Sequence, residues 1–230
     1  MKLNSYSPNK KLERNIRLLL IIGVAILHIF CWIMVNEINR RLPPSQLNNL
    51  STVFDTWIPY LGWTFLFYYL GLFYISFWAF FIVWKLTDKK LLRAVYTYTA
   101  MILTGALLEI AVPAQSPYPA DMNSIQQFIH EKSYSGPYAC FPSMHVMLTV
   151  LPALILFSVI RSRWIRFLST LTAVLIVAST LTLKEHFFID TLAGVIFAFI
   201  FYGFWRLDFK KLFRTQKKGW EHGNTKRETI

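Results

Sequence analysis

Apolar residues in this chain run on in long stretches broken by short polar intervals. Six stretches carry few or no charges: Leu18 to Asn36, Leu61 to Trp84, Ala94 to Val112, Pro142 to Ile160, Phe167 to Leu183 and Phe187 to Leu207. Each approaches the ~20 residues that take a helix across a ~30 Å hydrocarbon layer. A water-soluble bundle would keep a polar face on each helix, whereas these stretches are apolar on every face. The pattern predicts an all-α, polytopic membrane helical bundle with six transmembrane helices. Only Lys184, Glu185 and His186 separate the last two, which predicts a tight hairpin.

Composition agrees. Of 230 residues, 55% are hydrophobic and only 16% charged, which excludes a disordered chain, a collagen-like fibre and an ordinary soluble domain, where about a quarter are charged. Two cysteines exclude a disulfide scaffold. The formal charge of +12 is explained by where the basic residues fall. With six spans, the N-terminus, the connections 85–93 and 161–166 and the C-terminal tail share one side, and carry 5, 4, 3 and 8 Lys+Arg, the last count including Arg206 at the end of the sixth stretch. The other side has only Arg40, Arg41, Lys132 and Lys184. The positive-inside rule then puts both termini in the cytoplasm. The basic tail is read as touching anionic lipid headgroups, and no nucleic-acid partner is expected. The N-terminal run lacks a small-x-small cleavage site and reads as an uncleaved signal anchor. Without repeats or linkers, residues 1–230 are expected to form one integral-membrane domain, in the inner (plasma) membrane of a bacterium.

Candidate chemistry sits at the outer ends of the spans, around 113–207. In Cys140-Phe141-Pro142-Ser143-Met144-His145, the proline suits the first turn of a helix. Ser143 and His145 then lie at a helix N-terminus, whose free N–H groups and positive dipole end suit phosphate. The plainer alternative is an N-capping serine beside a histidine that touches only water. In Glu185-His186-Phe187-Phe188-Ile189-Asp190, His186 and Asp190 are four apart and share a helix face. A carboxylate there accepts one imidazole N–H and leaves the other nitrogen the better nucleophile or base; the alternative is a helix-stabilising polar pair. The topology brings His145 and His186 to one membrane face, as a phosphoryl-transfer site requires. Glu109, inside the third span, is a candidate by virtue of its depth, with a hydrogen-bonded structural role as the equal alternative. His28 reads as packed or hydrogen-bonded, and the Phe and Tyr residues of the second span as lipid-facing or packing. No cluster has zinc or iron ligand spacing, so neither metal nor cofactor is expected.

These two motifs resemble the second and third motifs of the type-2 phosphatidic-acid phosphatase superfamily, P-S-G-H and S-R followed after five residues by H-x-x-x-D. The string from Ala178 to Asp190, together with Phe141-Pro142-Ser143-Met144-His145 and Leu192-Ala193-Gly194, is similar to the inositol-phosphorylceramide and sphingomyelin synthase branch. Two departures stand out. The family's first motif has no clear match, its best slot being Val112 to Pro119, and the third-motif arginine falls on Thr180. Three cationic phosphate contacts of the wider family are therefore missing, and Lys132 or Lys184 are the substitutes the sequence offers, although Lys184, two residues from His186, falls on another helix face, where snorkelling to the interface is the expected role.

The resemblance implies a membrane enzyme acting on a lipid phosphate or phospholipid at the outer face. His186 would attack phosphorus, Asp190 orient it, His145 protonate the leaving oxygen, and Ser143 with the helix N–H groups hold the phosphate. Water as acceptor makes a phosphatase, and a lipid hydroxyl makes a headgroup transferase. The rival reading is a non-catalytic six-span binding protein or small transporter that keeps an anion site.

Overall fold

The computed structural model describes residues 14–71, 73–74, 85–117, 124, 127 and 138–207. Its long helices are α1 (Arg14–Arg40), α3 (Asp88–Ala111), α4 (Met144–Val159), α5 (Arg163–Thr182) and α6 (Phe188–Arg206), with a short α2 (Val53–Trp57) between α1 and α3. Among the described residues there is no strand, only an isolated bridge between Asn48 and Ala114.

Four helices, α1, α3, α5 and α6, are long and apolar enough to cross a membrane. The fourth predicted span is shorter than expected. Helix α4 has 16 residues, or roughly 24 Å at 1.5 Å per residue. It starts at Met144 and not at Pro142, because Ser143 is its N-cap and accepts a hydrogen bond from the amide of Val146 at 3.4 Å. Of the second predicted span, residues 65–71, 73–74 are helical; its remainder over 75–84 lies outside the described residues.

Burial divides the helices into an inner and an outer set. Ten of the 16 residues of α4 are buried, so it is the central post, and it packs most extensively on α6 and α5. Its Met147, Leu151, Ile155 and Leu156 meet Leu91 and Met101 of α3 and Phe201 and Trp205 of α6 in the main core. Helix α1 packs on α3 alone among its larger contacts and leaves Leu19, Ile22, Ile26, Ile29, Phe30 and Ile33 exposed. A continuous apolar face of that kind fits lipid and not water.

Polar side chains tie the ends of this apolar bundle. At one end Arg17 of α1 donates to Asp88 at 2.8 Å and to the Leu86 carbonyl at 2.6 Å. At the other, the fully buried Asn39 donates to the carbonyls of Glu109 and Tyr138, both at 2.9 Å. Asn36 accepts from the Tyr138 amide at 3.1 Å, which fixes the segment leading into Cys140.

Two glycines set how closely the inner helices approach. A Cβ at Gly105 would meet the methyl ends of Met144 and Met147, which can swing aside. One at Gly194 would lie 2.8 Å from the carbonyl oxygen of Ser143, which cannot. Gly194→Ala should therefore lower the melting temperature of the detergent-solubilised protein well below that of Gly105→Ala, by the about 1–3 kcal/mol typical of overpacking. Equal melting temperatures, or the reverse order, would contradict this view of the α4–α6 contact.

Candidate active site

The first turns of α4 and α6 meet at one end of the bundle. The amide of Ser143 donates to the carbonyl of Asp190 at 3.1 Å, and Gly194, one turn further along α6, lets the two backbones lie this close. On this platform His186 Nδ1 and Asp190 Oδ2 are 3.1 Å apart, with the histidine 5% and the aspartate 0% exposed. The ring of His145 faces that of His186, their centroids 6.0 Å apart. The sequence motifs thus converge: Ser143, His145, His186 and Asp190 share one site. Ser143 is also an N-cap, so its Oγ serves the helix as well. The N–H groups of Met144 and His145 have no intrahelical acceptor at this first turn.

The hairpin carrying His186 is built by the end of α5. The amides of Lys184 and Glu185 donate to the carbonyls of Leu181 and Thr180, both at 3.1 Å. This is a Schellman cap, and its left-handed position is occupied by Lys184, with φ of 59°. A lysine there carries strain that glycine would not. It is held by its own ammonium, which donates to the carbonyls of Asp55 at 2.7 Å and Ile58 at 2.6 Å. Lys184, a candidate phosphate contact in the sequence, is therefore engaged in closing the hairpin onto α2. Thr180, in the family's arginine place, is fully buried, 3.5 Å from the hydroxyl of Thr191, and its carbonyl also accepts the His186 amide at 3.2 Å. Lys132 lies outside the described residues.

Three residues join the site that sequence reasoning did not assign to it. Asp55 accepts from the Thr52 amide at 2.7 Å, capping α2, and from the Phe188 amide at 2.7 Å, capping α6. Its sequence signal was Thr52-x-x-Asp55, a capping-box spacing. Tyr68, from the second apolar stretch, places its hydroxyl 3.4 Å from His145 Nδ1 and its ring 4.8 Å from the imidazole. Cys140, 1% exposed, brings its sulfur together with one donor atom each of His186 and Asp190, all within 4.8 Å of one another. Glu109 is buried at the end of α3, its Oε1 without a hydrogen-bond partner among the described residues. His28 is half-buried on α1.

A family model described as the PAP2 superfamily matches residues 48–204. The chain belongs to the PAP2 superfamily. A comparison with curated proteins finds no match. PAP2 superfamily members are generally phosphatases or phosphotransferases, and the matched region holds α2 to α5, all but the last two residues of α6, and every site residue named above. The sulfur, imidazole and carboxylate of Cys140, His186 and Asp190 are ligand types that a zinc ion accepts. No spacing in the sequence betrayed that group, because Cys140 precedes α4 while the other two flank the start of α6.

Electrostatics set the protonation state of these side chains. Burial pulls the pKa of His186 down, but the charge and hydrogen bond of Asp190, the charge of Glu185 and the backbone of Cys140 outweigh it, and the sum lies above the ordinary 6.5. Burial first, then the Asp190 charge, push the Cys140 thiol well above its ordinary value, so it stays protonated at neutral pH. As pH falls through the raised value, His186 gains its second proton and loses the lone pair a nucleophile needs. Histidine-selective NMR of labelled protein in micelles should show His186 titrating above 6.5, and Asp190→Asn should move that midpoint down. A midpoint at or below 6.5, or one unmoved by the substitution, would contradict the pairing.

Proposed function

We propose that this protein is a metal-independent lipid phosphatase or lipid headgroup phosphotransferase that works through a phosphohistidine. The observation that carries the reading is the buried His186–Asp190 pair facing His145 across 6.0 Å at the N-terminus of α4. Asp190 accepts the Nδ1 proton of His186 and leaves the Nε2 lone pair to attack phosphorus. The N–P bond forms as the P–O bond to the leaving group breaks. His145 gives the departing oxygen its proton, then takes one from the incoming water or lipid hydroxyl that cleaves the N–P bond. The Tyr68 hydroxyl beside His145 Nδ1 fixes the ring so that Nε2 can serve in that exchange. Ser143 and the open N–H groups of α4 bind the non-bridging oxygens, and Lys132 is the remaining cation that the sequence offers.

The substrate class is a lipid phosphate or phospholipid reached from the bilayer, which the exposed apolar faces of α1 and α5 support. We read the chain as one six-span domain with cytoplasmic termini and the site on the extracytoplasmic face of a bacterial inner membrane. The distribution of basic residues supports this: Arg17, Lys90, Arg166 and Arg206 all lie at the ends of helices remote from the histidines. The motif wording around Phe141–His145 and Ala178–Asp190 supports the synthase-like branch, and with it a lipid hydroxyl as acceptor.

A specific observation favours the binding-protein reading as second choice: Thr180 stands where the family keeps an arginine, and Lys184 is engaged with carbonyl groups. Incubating the purified protein with a panel of lipid phosphates and phospho-headgroup donors separates the readings. Release of phosphate, or movement of a headgroup to a second lipid, is expected, undiminished by chelator and blocked by vanadate. Loss of turnover in chelator and its return with magnesium or zinc would overturn the metal-independent mechanism. Binding without turnover across the panel would favour the non-catalytic protein.

A further inference from the structure

At the end of the bundle remote from the histidines, α3, α4, α5 and α6 border an open cleft of about 470 Å³. Lys90 and Arg93 of α3, Arg166 of α5 and Arg206 of α6 line it, and no acidic side chain does so among the described residues. Its apolar wall is Phe157 of α4 with Tyr202 and Trp205 of α6. Along α6, 16 residues separate Arg206 from Asp190, and along α3, 19 separate Lys90 from Glu109; at 1.5 Å per residue that is roughly 24–29 Å. The cleft is thus a different place from the catalytic candidate, across the thickness of the bilayer.

We propose that this cleft binds the phosphate-bearing headgroup of an anionic lipid in the leaflet opposite the histidines. Orientation in the membrane requires basic residues near this end, but not that four from three helices surround one cavity. The cations are also pre-positioned. The guanidinium of Arg166 lies 5.0 Å over the Phe157 ring and donates from Nε to the Ile160 carbonyl at 2.5 Å, which holds the stem and leaves the terminal nitrogens for an anion. Arg206 lies 6.0 Å over the Tyr202 ring, which stacks on Trp205 at 5.9 Å and 18°. Trp205 in turn donates to the Lys90 carbonyl at 3.3 Å, fixing α6 against the first turn of α3. A planar guanidinium held against an aromatic face is suited to phosphate oxygens. A lipid is favoured over free phosphate because the cleft opens among exposed apolar side chains. Phe157, which lines the cleft, is 54% exposed, an apolar surface on which an acyl chain can lie while the headgroup enters. Basic pockets between membrane helices bind anionic headgroups in just this setting.

The test is native mass spectrometry of the full chain in neutral detergent, titrated with short-chain phosphatidylglycerol, short-chain phosphatidylcholine and inorganic phosphate. Phosphatidylglycerol should bind best. Arg166→Gln with Arg206→Gln should weaken it about tenfold or more, since each basic residue near an anionic headgroup is worth about 1 kcal/mol. His186→Gln should leave that binding unchanged, which separates this cleft from the proposed active site. Lys90→Gln, an exposed single change, provides the same comparison should the double variant melt early, with a several-fold loss expected. Equal binding of phosphatidylcholine, equal binding by inorganic phosphate, no loss in either cleft variant, or loss in His186→Gln instead would each overturn the proposal.

Discussion

The site rests on one backbone hydrogen bond, from the amide of Ser143 to the carbonyl of Asp190 at 3.1 Å. It joins the beginnings of two apolar helices that would otherwise pack with a looser tolerance. Gly194 is the condition for it, because any side chain there would lie against the carbonyl of Ser143. Through this bond the N-terminal turn of α4, with its open N–H groups and His145, is held in register with the start of α6 and the His186–Asp190 pair.

The hairpin between α5 and α6 is clamped from outside by α2. Asp55 caps α6 through the Phe188 amide, while Lys184 donates to the carbonyls of Asp55 and Ile58, so a five-residue helix and a three-residue turn hold each other. Lys184 tolerates a left-handed backbone because its ammonium is satisfied there. Asn39 closes the opposite wall by joining α1 to the end of α3 and to Tyr138. The result is a buried histidine whose charge state is set by a neighbouring carboxylate rather than by water.

Much of this was legible from the residues alone. Long apolar runs revealed the helices, since in lipid a single continuous segment satisfies its own backbone groups only as a helix. The four-residue spacing of His186 and Asp190 is a local property of a helix, and it survives in the structure as a 3.1 Å contact. What could not be read depends on distance in sequence. Tyr68 looked like one aromatic among many, because nothing periodic distinguishes the one that meets His145. Cys140 and Asp55 reach the site only through the packing of helices far apart in the chain. The orientation of Lys184 depends on a cap geometry normally announced by glycine, and the place where α4 begins depends on whether Ser143 caps or continues the helix.

In the mechanism we propose, His186 takes up a phosphoryl group while His145 handles the proton. Rapid-quench trapping with radiolabelled phosphatidic acid or the donor lipid that supports turnover measures this directly, in the native chain and in His186→Gln and His145→Asn. The expected result is an acid-labile, base-stable phosphoenzyme in the native protein, absent from His186→Gln and still formed, more slowly, by His145→Asn. Label that persists in His186→Gln but disappears in His145→Asn would contradict it.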